Sequence, residues 1–94
     1  IGNNVTLVFD NMDFGGVGAG RIELCWRSAL PRNPVSIVFS GEDEECRQMV
    51  EVSRADTWES RVFRLDKRVS GKNKVSFVFL PGCSLDLAWF QFME

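Results

Sequence analysis

The chain has 94 residues, of which 45% are hydrophobic and 26% charged, and its net charge is −2. These values predict one globular domain with a thin core, and they exclude both a disordered tail and, since no run of 18 apolar residues occurs, a membrane span. The absence of histidine excludes Ser-His-Asp and Cys-His nucleophiles and histidine-ligated zinc, and the lack of surplus basic charge predicts no nucleic-acid partner.

Strand-like alternation of apolar side chains dominates the sequence. Three short runs share nearly the same letters: VTLVF at residues 5–9, VSIVF at 35–39 and VSFVF at 75–79. Each run is rich in β-branched and aromatic residues and is bounded by turn formers. They therefore predict three central strands that are covered on both faces.

Further strands are predicted over residues 20–27, 47–52, 60–65 and 85–92. In the first of these, Trp26 shares the apolar face, and the last is dense in aromatic side chains. The total of about seven to eight strands, with no amphipathic helix, predicts an all-β fold: an antiparallel β-sandwich.

Turn formers separate these strands. The glycine-rich residues 15–20 predict a flexible loop, and the two prolines in residues 31–34 predict a break in the chain. Residues 70–73 predict a hairpin turn, and the acidic run at 42–45 predicts a solvated loop. At the N-terminus, residues 1–4 show no signal-peptide pattern, and we expect the chain to be a piece of a longer protein.

Three cysteines occur without CxxC spacing, and an odd number cannot pair fully within one chain. We expect reduced thiols. Cys25 lies in an apolar run and is interpreted as small core filler. Cys46 and Cys83 could pair only if the fold brought their Cα atoms within about 7 Å of each other.

The three tryptophans differ in their surroundings. Trp26 and Trp89 lie in apolar segments, which predicts two core residues. Trp58 lies in the polar stretch RADTWE, which predicts an exposed indole on a loop of the sandwich. Such a ring can stack on the C–H face of a sugar while the hydroxyls bond to nearby polar groups. The alternative is a strand-end residue that caps the core.

Carboxylates are the remaining candidates for acid–base chemistry. Hydrolysis of a glycosidic bond needs two of them flanking the bond. Asp56, Glu59 and Asp86 are candidates, but nothing in the sequence marks a pair as buried or tuned. We therefore predict that this chain is not itself an enzyme.

Two segments resemble family 6 carbohydrate-binding modules. VFDNMDFG at residues 8–15 resembles the strand and turn of that family, and LDLAWFQF at 85–92 is similar to its closing strand. VSFVF at 75–79 then resembles the penultimate strand. The resemblance implies a non-catalytic, jelly-roll-like sandwich of the galactose-binding-domain-like type, with an oligo- or polysaccharide as its ligand.

A narrower resemblance involves VFDNMDFG, QMVE at residues 48–51 and FVFLPG at 77–82. These three segments are similar to segments of a module that is appended to bacterial family 2 glycoside hydrolases of β-galactosidase type. The resemblance implies that residues 1–94 form one accessory module of a larger secreted or periplasmic enzyme, whose catalytic domains would be further partners.

The family's site residues transfer to two positions. Its cleft tryptophan corresponds to Trp58, and the asparagine near its closing strand corresponds to Asp86. Together with Glu59, these are the predicted carbohydrate-binding residues. Ala88 replaces the aspartate of the family's structural calcium site, so we predict no metal and no cofactor.

The alternative to sugar binding is a structural role. Family 6 modules usually carry a further N-terminal strand and a second cleft aromatic, which this sequence lacks. If that strand is absent from the protein and not only from this sequence, the sandwich has an open edge, and an open edge can pair with another chain. The chain would then pack against other domains of its enzyme, or form a weak dimer, without binding sugar.

Overall fold

The computed structural model describes residues 5–41 and 45–94, so the predictions for residues 1–4 and for 42–44 of the acidic run lie outside the described residues. Five strands are present: β1 (Val5–Asp13), β2 (Ala19–Ser40), β3 (Glu45–Val69), β4 (Lys72–Phe79) and β5 (Asp86–Met93). In the described ranges, no helix has the length and apolar character needed to cross a bilayer.

The strands form two antiparallel layers because β2 and β3 each run through both. The second half of β2 pairs with the first half of β3 and with β4, which also pairs with β1. The first half of β2 pairs with the second half of β3 and with β5. We call the layer β1–β4–β2–β3 the β1 sheet and the layer β5–β2–β3 the β5 sheet.

The predicted antiparallel β-sandwich is confirmed. Counting β2 and β3 twice gives seven straight segments, in agreement with the predicted number. The predicted break at residues 31–34 is wrong, however, because the backbone stays extended there, and segments 47–52 and 60–65 belong to one strand. Shifts of register along β2 and β3 redirect the strands instead, since a bulge bends a strand without ending it.

The three similar runs lie side by side in one register. Leu7 of β1 faces Phe77 of β4, which faces Ile37 of β2 on its other side. The similar residues of the three runs therefore occupy equivalent positions in neighbouring strands. The prediction of three central strands is wrong for β1, which has β4 as its one partner in the described part of the chain and exposes 37% of Val5 and 47% of Val8.

Two turns connect the sheets, and the sequence predictions for them differ in how well they agree with the structure. The glycine-rich segment after Phe14 connects β1 and β2 through a turn, and Gly20 of the predicted loop already belongs to β2. Gly18 has φ +81° with no room for a Cβ, which would lie 2.5 Å from the carbonyl oxygen of Val69. The predicted hairpin at residues 70–73 is wrong. β4 pairs with β1 and β2 in the β1 sheet, whereas the end of β3 belongs to the β5 sheet.

The core lies between the two sheets. Its fully buried side chains include Trp26, whose predicted core position is confirmed and whose Nε1 donates to the carbonyl oxygen of Ser53 at 2.8 Å. Cys83 also belongs to the core, where burial raises the pKa of its thiol. Cys25, Cys46 and Cys83 are free thiols. Cys25 is buried as predicted, but it points away from the core cluster.

A buried asparagine fixes the corner where β2 passes from one sheet to the other. The Asn33 side chain has no exposed surface and donates to the carbonyl oxygens of Leu30 and Val52, each at 3.2 Å. Its oxygen accepts from the Ser28 hydroxyl at 3.2 Å and from the backbone N–H of Ser84 at 3.0 Å. Because Ser84 lies just before β5, this network positions the start of that strand.

Candidate functional site

Trp58 lies on a bulge of β3 at the edge of the β5 sheet. Ser28 pairs with Ala55 and Trp26 with Glu59, so three residues of β3 face the single residue Arg27 of β2. Bulges re-aim side chains in this way. The predicted exposure of Trp58 is confirmed at 50%, but the residue lies within a continuous strand and not on a loop between two strands.

Arg27 links Trp58 to Asp86. Since its neighbour Trp26 is buried in the core, Arg27 points to the outer face of the β5 sheet. Its guanidinium carbon lies 4.6 Å from the centroid of the Trp58 ring, a cation–π contact. The same guanidinium donates to Oδ2 of Asp86 at 2.9 Å and 3.3 Å. The three side chains form a contiguous row across β3, β2 and β5, which we call the Trp58 cluster.

The ion pair sets the charge of the cluster. The hydrogen bond from Arg27 lowers the pKa of the Asp86 carboxyl below its ordinary value of 3.8, so the carboxylate is ionised at neutral pH. The cluster thus presents an aromatic face beside guanidinium donors and a carboxylate acceptor. A ligand with apolar C–H faces and several hydroxyls matches this combination.

Glu59, the third predicted site residue, is not part of the cluster. It is exposed, but it pairs with Trp26 and therefore lies on the opposite side of β3 from Trp58. The structure thus brings Trp58 and Asp86 together through Arg27 and leaves Glu59 beside them on another face. Arg27 itself was not predicted, because a cross-strand partner depends on register.

The core prediction for Trp89 is wrong. Trp89 is 44% exposed and pairs with Cys25 on the outer face of the β5 sheet. A register shift at Ala88 turns Leu87 and Phe90 toward the core and Trp89 away from it. The alternation of Phe90 with Gln91 at the end of the sequence already carried this signal, since it places Trp89 on the polar face.

A second aromatic surface lies on the open flank of the sandwich, between β1 and β5. In the described ranges β1 pairs only with β4, and β5 pairs only with β2. Phe9 of β1 contacts Phe90 of β5 at 5.1 Å, and Phe14 contacts Phe92 at 4.9 Å, both edge to face. Phe14 and Phe92 also line a groove of about 360 Å³. We call this surface the open flank.

The described residues do not fit the calcium site that the resemblance implies. Residues 5–41 and 45–94 contain no group of three His, Cys, Asp or Glu side chains that could hold a metal ion. Ala88, at the position of the family's aspartate, supplies no oxygen from its side chain. We derive no step or structural role from a metal.

Comparison with solved structures identifies the fold. A family 6 carbohydrate-binding module, whose binding sub-sites were dissected by X-ray crystallography and calorimetry, superposes with a TM-score of 0.83 over 100% of this chain and 70% of its own, at 18% identity. The chain has the fold of a family 6 carbohydrate-binding module. No protein-family model matches the sequence, and no curated protein matches it.

Other structures with this fold were solved with bound sugars. A family 6 module from Clostridium cellulolyticum in complex with xylose has a TM-score of 0.81 at 24% identity, over 100% of this chain and 75% of that one. A module from Clostridium stercorarium in complex with cellobiose superposes with a TM-score of 0.81 at 18% identity, over 100% of this chain and 70% of that one. A family 43 arabinoxylan arabinofuranohydrolase from Bacillus subtilis in complex with cellotetraose has a TM-score of 0.82 at 23% identity, over 100% of this chain and 20% of the enzyme chain.

Proposed function

We propose that this chain is a non-catalytic carbohydrate-binding module and that the Trp58 cluster is its sugar site. The observation that carries the proposal is the cluster itself: a half-exposed indole held by Arg27 next to an ionised Asp86. The fold supports the same proposal, since related structures were solved with xylose, cellobiose and cellotetraose bound.

The chemistry of each residue follows from its group. The exposed indole of Trp58 stacks on the C–H face of a sugar ring, while Asp86 accepts hydrogen bonds from hydroxyls and Arg27 donates to ring or hydroxyl oxygens. One stacking platform with a few exposed polar groups gives weak binding, with a Kd on the order of 0.1–1 mM.

The charge state of Asp86 argues for binding and against catalysis. A general acid for glycoside hydrolysis needs a raised pKa, so that it holds its proton at the working pH. Arg27 shifts the pKa of Asp86 in the opposite direction. The carboxylate is therefore suited to accept hydrogen bonds and not to donate a proton.

We further propose that the module belongs to a larger enzyme, a bacterial, secreted or periplasmic glycoside hydrolase of β-galactosidase type. The sequence segments that resemble modules appended to such enzymes support this assignment of the larger enzyme. The match to only 20% of an arabinofuranohydrolase chain gives separate support, because it is the pattern of a small module within a multidomain enzyme.

The second candidate is a structural module without sugar binding, and the open flank favours it. Half-buried phenylalanines and unpaired strand edges are typical of surfaces that pack against another chain or domain. The flank predicts dimers at high protein concentration. Sedimentation as a monomer throughout the concentration range would contradict self-association through this surface.

Calorimetric titration of the chain with xylose, cellobiose and cellotetraose tests the sugar site. We expect saturable binding that Trp58→Ala reduces at least tenfold and that Trp58→Phe partly restores. Val62→Ala is the matched control, because Val62 is also exposed on β3 but lies outside the cluster. A folded chain that binds none of these sugars up to about 10 mM would contradict the proposal and favour the structural module.

A further inference from the structure

We propose that three arginines at the far end of the β5 sheet form a second binding site, which takes the anionic groups of an acidic polysaccharide. A groove of about 330 Å³ is lined there by Gly20, Arg21, Arg64, Leu65, Arg68 and Glu94, and we call it the arginine groove. Its volume lies within the range of ligand pockets, about 300–1,000 Å³. The saccharide part of the ligand rests on the proposed function, whereas its anionic part rests on the groove alone.

The register of β2 against β3 places two like charges side by side. Arg21 pairs directly with Arg64, and directly paired residues point to the same face of a sheet. Because Ile22 beside Arg21 is buried in the core, both arginines point to the outer face. Like charges that lie directly opposite each other destabilise a strand pair. An anion bound between the two guanidinium groups would remove this repulsion.

A wide bulge of β3 brings the third arginine to the same place. Between two neighbouring pairs of the β2–β3 ladder, residues 65–68 of β3 lie opposite the single residue Gly20. The side chain of Arg68 turns toward Gly20, where a Cβ would lie 3.6 Å from its Nη2. Since glycine has no side chain, the space beside this guanidinium stays open.

Backbone oxygens hold two of the arginines in position. Arg21 donates from Nε and Nη2 to the backbone oxygen of Glu94 at 3.0 Å and 2.9 Å. Arg68 donates from Nη1 to the backbone oxygens of Val17 and Gly18 at 2.9 Å and 3.3 Å. In the described ranges, Nη1 of Arg21 and Nη2 of Arg68 make no such bond, so each guanidinium keeps donors for a ligand.

The bulge that carries the third guanidinium is fixed from inside the sandwich. Gln48 belongs to the β1 sheet and is only 8% exposed. Its Nε2 donates to the carbonyl oxygen of Arg64 at 2.8 Å, and its Oε1 accepts from the backbone N–H of Asp66 at 2.6 Å. The Arg64 guanidinium itself has no hydrogen-bond or ion-pair partner among residues 5–41 and 45–94. A site backbone that is held in this way needs little reorganisation on binding.

The charge of the groove is not neutralised by ion pairs. In the part of the chain that the structure describes, the ion pairs of arginine lie elsewhere. The acidic residues next to the groove are Glu23, Asp66 and Glu94, and none of them forms an ion pair with its arginines. The planar guanidinium group binds carboxylate and sulfate oxygens through parallel hydrogen bonds. The groove therefore suits a uronic acid or a sulfated sugar.

The site is separate from the Trp58 cluster. Along β2, Arg21 and Arg27 are six residues apart, which corresponds to about 20 Å. The two sites can therefore be tested independently, with acidic sugars for the groove and neutral sugars for the cluster.

An NMR titration at constant ionic strength tests the groove through the backbone amide signal of Gly20. The probes are glucuronate, a sulfated galactose, inorganic sulfate and neutral glucose. For the wild type we expect saturable shifts with both acidic sugars, with a Kd of about 1–10 mM, and none with glucose. Arg64→Gln should weaken the binding of the acidic sugars at least about fivefold. Arg47→Gln is the matched control, because it removes the same charge from an exposed position of β3 in the other sheet.

Each contrary outcome has a distinct meaning. Acidic sugars that bind Arg64→Gln as tightly as the wild type, or that are weakened equally by Arg47→Gln, would overturn the groove. Binding of inorganic sulfate without either acidic sugar would overturn the polysaccharide as its ligand. Arg64→Lys is a second variant: it keeps the charge but not the fork of donors, and we expect an affinity between those of the wild type and Arg64→Gln. Xylose and cellobiose report on the Trp58 cluster, so their binding shows whether the proposed function survives a failure of the groove.

Discussion

β5 contributes to two aromatic surfaces that differ in construction. On the outer face of its sheet, Trp89 protrudes from a strand whose backbone is paired with β2, and an ion pair lies beside it. On the open flank, the neighbouring residue Phe90 packs edge to face with Phe9 between two strand edges that have no partner strand within residues 5–41 and 45–94. Two adjacent rings of one strand therefore serve different surfaces: Trp89 is 44% exposed on the outer face, whereas Phe90 is partly buried against the core.

The difference indicates what each surface can bind. The outer face offers side chains that project from the paired strands β2 and β5, among them an ion pair, which suits a small polyhydroxylated ligand. The open flank offers apolar rings beside strand edges without a partner strand among the described residues, which suits another polypeptide. The following predictions test this distinction, from the largest expected effect to the smallest.

The largest contrast is between Phe90→Ala and Trp89→Ala. Phe90 also packs against Phe77 at 4.8 Å, so its loss leaves a cavity and should lower the free energy of unfolding by about 2–4 kcal/mol. Trp89 points outward, and its loss should cost less than about 1 kcal/mol. Urea unfolding of both variants measures the difference, and equal destabilisation would contradict the opposite orientations of the two side chains.

The corner network comes next in size. Asn33→Ala removes the hydrogen bonds of a fully buried side chain to four partners and should cost about 2–3 kcal/mol, or roughly 10–20 °C in Tm for a domain of this size. Because the network positions the start of β5, sugar binding should weaken as well. Asn33→Ala with an unchanged Tm would contradict its role, and Gln91→Ala, at an exposed position of β5, is the control.

A smaller effect is expected for Arg27→Met, which keeps an apolar stem of similar length but removes the guanidinium. Trp58 then loses the group that holds its ring, and Asp86 loses its partner. We expect cellobiose affinity to fall about three- to tenfold with little change in stability, because the pair is exposed. Calorimetry measures the affinity, and wild-type affinity in this variant would show that Trp58 needs no positioning.

The smallest effect is the pH dependence near neutrality. The pKa of Asp86 is lowered in the folded protein by Arg27, so any stability or binding that depends on the carboxylate is present above the ordinary carboxyl range and lost as the pH falls through the lowered value. We expect constant affinity between about pH 5 and 8 and a decrease only below about pH 4. Asp86→Asn removes this dependence and is the control.

The sequence allowed the fold to be predicted but not the path of its strands. Runs such as residues 35–39 and 75–79 alternate strongly enough to identify strands, because burial on a pleated surface imposes that pattern. The bends of β2 and β3 carried no such signal, since a bulge needs no turn residue. Pro31 and Pro34 therefore predicted a break where the strand only changes sheets.

The site was partly predictable for a similar reason. The polar surroundings of Trp58 revealed its exposure, and the resemblance drew attention to Asp86. Arg27 could not be found from sequence, because its contacts depend on the register of β2 against two other strands. Trp89 was predicted in the core on the apolar character of its segment, although the alternation of its neighbours favours the outer face.

The most direct test of the central claim is an NMR titration that follows the three tryptophan indole N–H signals during addition of cellotetraose. We predict that the signal of Trp58 shifts with saturation, while that of Trp26, buried and bonded to Ser53, stays in place. Shifts confined to backbone amides of the open flank, or no shift in any indole at saturating sugar, would contradict sugar binding on the outer face of the β5 sheet.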